Sequence, residues 1–284
     1  MPTIRPSVPP SPRPPRPSSS RRQFLATAPL AGLAGAVLPA AAVLRAQPPP
    51  ASPPFGEWFP LQDPALAKEV VGVSHRDLNR VRELVERQPA LARAAIDWGF
   101  GDWESALGAA SHTGRREIAE LLIAHGARPT LFSAAMLGQL PVVRAFVESS
   151  PGIQKTLGPH AIPLAAHARA GGPAAAEVLK YLQTVGDADL RPTTAPLAPS
   201  ERDAVVGRYD FGTGPRDHFL VEVRNDQLGI ERPGGNRQLI HHTGGLVFFP
   251  SGVPSVRIAF HKDGPRTSQL TVADPDVMLT ARRA

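Results

Sequence analysis

Three glycines, Gly114, Gly138 and Gly171, each close a short Ala-rich stretch, and this repetition restricts the middle of the chain to stacked helical hairpins. In the clearest unit, Ala109, Ala110 and Ser111 are small enough for a first helix to approach its neighbour closely. Gly114 permits the left-handed turn between two antiparallel helices. Ile118, Leu121 and Leu122 then form the i, i+3, i+4 stripe of a second helix, which Gly126 ends. Residues 131–138 followed by 142–147 repeat the arrangement 24 positions later, and residues 162–171 restart it 33 positions after Gly138, continuing through 177–182 and 186–189. Upstream, Asp77-Leu78, residues 81–85 and residues 88–91 read as a capping unit. Four units exceed the roughly three that a stacked array needs to bury a continuous core.

The best unit, residues 102–127, resembles an ankyrin repeat over its full length. Ser105-Ala106-Leu107-Gly108 stands where that family has Thr-Pro-Leu-His, Ala110-Ser111 stands for its Ala-Ala, and Gly114, Leu121-Leu122 and Gly126-Ala127 fall at its turn and second-helix ending. The Thr-Pro-Leu-His tetrad is intact nowhere, so the hydrogen bonds it makes are absent or replaced, and a generic helical-hairpin array is the alternative. The short spacing from Gly114 to Gly138 implies that the family's β-hairpin finger is missing or cut short there. The resemblance implies partner contacts in two places. One is the aromatic loop of Trp98, Phe100 and Trp103, which otherwise folds as a lid over the first helices. The other is the concave face, at His112, Thr113, Met136 and Leu137, which otherwise pack within the repeats.

After Pro192, Pro196 and Pro199 the helical pattern stops. Eight short alternating runs follow, at 205–211, 218–224, 227–231, 238–242, 246–249, 256–261, 269–272 and 277–281, punctuated by Asn225-Asp226, residues 233–236 and residues 263–265. This spacing predicts an antiparallel barrel or sandwich joined by tight turns. Val206-Gly207-Arg208-Tyr209, residues 219–223, Gln227-Leu228 and residues 256–260 are similar to the small β domain appended to serine β-lactamase-like proteins. The hydrolase part itself has no counterpart: neither Ser-x-x-Lys nor Gly-x-Ser-x-Gly occurs.

At the other end, Ser20-Arg21-Arg22-Gln23-Phe24-Leu25 opens a moderately apolar run to Val43, interrupted by Thr27, Pro29 and Pro39. It resembles a twin-arginine signal peptide, with Arg21, Arg22, Phe24 and Leu25 as its motif and cleavage after Ala42 or Ala46. An uncleaved anchor is the other reading, disfavoured by the prolines and glycines. The only ionisable side chains of the leader are six arginines, and losing them lowers Lys+Arg from 31 to 25, equal to Asp+Glu. The positive excess therefore belongs to targeting, which removes the nucleic-acid reading that a basic chain invites. With no Cys, the exported body is held by its core alone.

The expected architecture is thus α+β in two domains: leader 1–46, Pro-rich linker 47–64, ankyrin-like repeats 65–190, linker 191–200 and β domain 201–284. Nine histidines invite a search for metal ligands. Adjacent His241 and His242 point to opposite faces of a strand, and no carboxylate pattern joins them to His218 or His261. His112, His125, His160 and His167 carry no partner motif. Gly212-Thr213-Gly214 lacks the Lys-Ser/Thr of a phosphate loop and reads as a turn. The expectation is accordingly a periplasmic or secreted, non-enzymatic protein-interaction module, without metal or cofactor, membrane-associated only through an uncleaved leader. An accessory subunit of an exported enzyme and a barrel that binds a small ligand are the alternatives.

Overall fold

The computed structural model describes Trp58 and residues 60–264, 266–274 and 277–284. The signal-peptide reading, with Arg21, Arg22, Phe24 and Leu25, lies outside the described residues, as does most of the expected Pro-rich linker. The chain is α+β, and its described helices and strands belong to one compact unit.

Side-chain caps start four of the described α-helices. The Asp63 carboxylate accepts from the Ala65 N–H ahead of α1 (Pro64–Val73), and Asp77 does the same for Arg80 ahead of α2 (Leu78–Arg87). The hairpin of β1 (Ala95–Asp97) and β2 (Trp103–Ser105) comes next. Ser105 caps α3 (Ala106–His112), which pairs with α4 (Arg116–Ala124). Thr130 and Ser133 form a reciprocal capping box on α5 (Leu131–Met136), which is followed by α6 (Leu140–Ser149). The last pair is α7 (Leu164–Ala170) and α8 (Ala176–Val185). α1, α3, α5 and α7 pack side by side, with α2 beside α4 and α6 beside α8 in a second layer. No strand separates α4 from α5, as the short glycine spacing requires. Buried Ser111 ties three inner helices together, donating to the Phe132 carbonyl and meeting His167 Nδ1 at 2.8 Å. Burial, then the neighbouring His112, pushes the His167 imidazole down to about 3 and keeps it neutral.

A short helix, α9 (Pro199–Val205), runs from the end of the expected linker to the first residue of the expected first strand, with Pro199 in its first turn and Glu201 accepting from the Ala198 N–H. Eight antiparallel strands follow, and they close as a barrel rather than splitting into a sandwich. They are β3 (Gly207–Asp210), β4 (His218–Arg224), β5 (Gln227–Glu231), β6 (Gln238–Gly244), β7 (Val247–Pro250), β8 (Arg257–Asp263), β9 (Arg266–Asp274) and β10 (Val277–Arg283). Each pairs with the next, and β10 returns to β3 through Arg282 opposite Asp210. Tyr209, Ile230, Phe248, Ile258 and Leu270 fill the barrel core, each burial contributing on the order of 2 kcal/mol. The Tyr209 hydroxyl donates to the Val205 carbonyl, pinning α9 to the barrel.

Gly114 has the positive φ, 69°, that its place in the sequence implies. A methyl group there would also overlap the Ala170 carbonyl oxygen at the end of α7. Gly114→Ala is expected to lower the free energy of unfolding by about 2–4 kcal/mol, from backbone strain plus steric overlap. Urea denaturation measures it, and an unchanged midpoint would show that the turn relaxes freely.

Candidate metal centre

Alternation along β2 turns Trp103 outward, 64% exposed, and turns its neighbours Asp102 and Glu104 inward, 4% and 0% exposed. A carboxylate withdrawn from water needs a compensating partner. Histidines supply it from three separate places: His75 in the turn after α1, His112 at the end of α3, and His160 in the turn before α7. One donor atom from each of His75, Glu104, His112 and His160 lies within 4.8 Å of all the others.

The separations have the size of a coordination polyhedron. Glu104 Oε1 is 2.9 Å from His112 Nε2 and 3.4 Å from His160 Nε2, and Glu104 Oε2 is 3.5 Å from His75 Nε2. His75 Nε2 and His112 Nε2 are 3.2 Å apart. Zinc-to-nitrogen bonds of about 2.0–2.1 Å in a tetrahedron place neighbouring donors about 3.3 Å apart.

An outer layer of hydrogen bonds orients these groups. His75 Nδ1 faces the Val71 and Gly72 carbonyls at 3.2 and 3.1 Å, which only an N–H satisfies, so its Nε2 lone pair points into the cluster. His160 Nδ1 meets Asp102 Oδ2 at 2.7 Å, and Asp102 Oδ1 accepts the His160 backbone N–H. The Trp98 indole N–H donates to Glu104 Oε2 at 2.7 Å, leaving Oε1 directed at His112 and His160. Carbonyl and carboxylate partners of this kind fix the tautomer and raise the basicity of metal-ligating histidines. His160 also holds a left-handed backbone, φ 58°, uncommon for a residue with a side chain.

The protons of the cluster report the same field. Burial alone would raise the Glu104 carboxyl, but hydrogen bonds from His112, His160 and His75 hold it well below the carboxylate range. For His160, burial works downward and is outweighed by Asp102 and Glu104, which lift it to about 10. His75 is raised chiefly by its hydrogen bond to Glu104. The pocket gathers positive charge, whether as protons or as a metal cation.

The barrel holds the loop that carries two of these groups. Gln238 Nε2 and Asn236 Nδ2 both donate to the Trp98 carbonyl, at 2.6 and 3.3 Å, and Phe100 packs against the barrel core. Gly252, between β7 and β8, sits so close to Asp102 that a Cβ there would overlap the carboxylate. An open cleft of about 620 Å³ lies on the other side, with His75 and His160 among its lining residues, Trp98 and Val73 as apolar surface, and Lys68 and Arg76 as cations.

The residues singled out in the sequence are therefore placed differently from one another. Of the aromatic loop only Trp103 is well exposed; Trp98 and Phe100 are half-buried against the cluster and the barrel. His112 joins the metal-type cluster, whereas Thr113 bonds back to the Ala109 carbonyl. Met136 is fully buried in the helical core and Leu137 packs against it, so Met136 presents no accessible face. The absence of a metal motif in the sequence is not matched by the fold. His112 lies 37 positions from His75, and Asp102 lies 58 from His160, distances that no local spacing reveals. The barrel histidines stay apart, with His241 on Ser251, His242 on the Pro196 carbonyl and His261 on Thr271. The signal that pointed inward was the Asp102-Trp103-Glu104 alternation, two carboxylates on one face of a strand. No family model, curated protein or solved structure matches the chain.

In metal-free protein, His160 is raised above its ordinary value near 6.5. Its contribution to stability is then complete below about pH 6.5 and lost as pH rises through about 10. Asp102→Asn is expected to lower the His160 pKa measured from its ring resonances and to flatten the thermal stability profile across that window. A His160 titration unmoved by this substitution would remove Asp102 from its role.

Proposed function

We propose that this chain is an exported metal-binding protein in which His75, Glu104, His112 and His160 hold one zinc ion. The observation that carries the reading is the convergence of four donor atoms within 4.8 Å, around a carboxylate with no exposed surface. Three imidazoles and one carboxylate suit zinc among the common divalent ions, since magnesium and calcium take oxygen ligands. Four protein donors complete a tetrahedron, the habit of structural rather than catalytic zinc, and this favours a binding protein over an enzyme. The two-layer order of four helix pairs supports reading residues 65–190 as ankyrin-like repeats. Export by the twin-arginine route remains part of the proposal on the strength of Arg21, Arg22, Phe24 and Leu25; it carries folded proteins, so the ion would be loaded beforehand.

Purified protein is expected to hold one equivalent of zinc by elemental analysis. Saturating zinc is expected to raise the melting temperature over that in EDTA by roughly 10 °C, the effect of ligand at about a thousand times Kd on a body of this size. His112→Ala should lose the zinc-dependent increment whatever its own stability. Substoichiometric zinc, with melting indifferent to EDTA, would overturn the reading.

The exposed Trp103 indole, on the outer face of the finger, supports a second role in contacting a protein partner. Trp103→Ala should then reduce capture of a periplasmic partner at least tenfold while leaving zinc content unchanged. Undiminished capture would take the finger out of the interface.

A further inference from the structure

Glu104 has no exposed surface and the His112 side chain is 12% exposed, whereas the His75 and His160 side chains are 23% and 29% exposed and line the open cleft. Anything reaching the ion from solvent on this side therefore approaches past His75 and His160. Trp98 stands beside both rings, its centroid 6.4 Å from His75 and 6.1 Å from His160, and its N–H is already committed to Glu104. It offers the cleft an apolar face, continued by Val73.

The charge of the cleft is positive. A divalent ion among neutral imidazoles and one carboxylate keeps a unit of positive charge, and Asp102 offsets it from behind His160. Lys68 and Arg76 add two more positive charges at the cleft. The carboxylate of Glu69, also at the cleft, is engaged by Arg80 at 2.6 Å and does not neutralise them. Among the described residues, Lys68 bonds to the neutral Asn236 side chain, at 3.3 Å.

We infer that this cleft binds an organic carboxylate whose anionic head approaches the ion between His75 and His160, near Lys68 and Arg76, and whose apolar body lies on Trp98 and Val73. The inference rests on the metal centre proposed above. The volume, about 620 Å³, is that of a small-molecule site, far larger than an inorganic anion fills. Zinc expands from four to five ligands in some sites, and the inference requires that expansion here, with the carboxylate adding to the protein donors without displacing one.

Benzoate is a suitable probe, titrated into the full chain loaded with cobalt in place of zinc. Cobalt absorbs strongly when tetrahedral and weakens when a fifth ligand joins, so the visible spectrum reports contact with the ion and calorimetry reports binding. The expected result is saturable binding with a fall in visible absorbance, tighter than for inorganic phosphate, and weakened about tenfold in Arg76→Ala at equal cobalt content. Chain that holds one cobalt but does not bind benzoate, or binds it without spectral change, overturns the inference and leaves the metal centre standing. Phosphate binding as tightly as benzoate overturns the assignment to an organic carboxylate. Chain that holds no cobalt or zinc overturns the metal centre and this inference together.

Discussion

A carboxylate with no exposed surface, Glu104, sets the terms for everything around it. Withdrawing such a group from water costs several kcal/mol unless charge and hydrogen bonds replace the lost solvation. Here the replacements are three imidazoles and an indole N–H, each delivered from a different part of the chain. Removing any one leaves the others short of a partner, so the turn after α1, the end of α3 and the turn before α7 cannot drift independently. The helical layers supply rough placement, and the carboxylate converts it into a defined geometry.

The barrel completes that geometry from outside the helices. Two amide side chains at the start of β6 and just before it fix the Trp98 carbonyl, and Phe100 is buried against the barrel core. Asp102 passes so near Gly252 that no side chain fits between them. Helical layers and barrel thus share a loop, which is why they form one compact unit although the sequence divides cleanly between two periodicities.

Those periodicities made most of the architecture legible. Strand bounds at 218–224 and 227–231 coincide with β4 and β5, because turn residues frame them tightly. The helical turn at Gly114 and the missing finger between α4 and α5 follow from glycine spacing. The start of the barrel was less legible: the alternating run begins at Val205 in the sequence, yet Val205 closes α9, whose first-turn proline and Glu201 are helix signals next to a Pro-rich stretch. The centre itself stayed hidden because its members lie in four segments that only stacking brings together. His75 sits in a turn with no periodic signal, and His160 owes its position to a left-handed backbone that sequence pattern does not announce.

A chain without cysteine has no covalent means of tying distant segments together. On the proposed reading, one ion does that work. Its ligands run from His75 to His160, closing a long loop from the turn after α1 to the turn before α7. A cross-link of this span removes more entropy from the unfolded chain than a local contact can, though only logarithmically more with length. Since an unfolded chain seldom preassembles such a site, the free energy of binding the ion appears as free energy of folding. The outer hydrogen bonds then have a second consequence. By orienting His75 and His160 before the ion arrives, the Val71 and Gly72 carbonyls and Asp102 reduce the ordering that binding must impose.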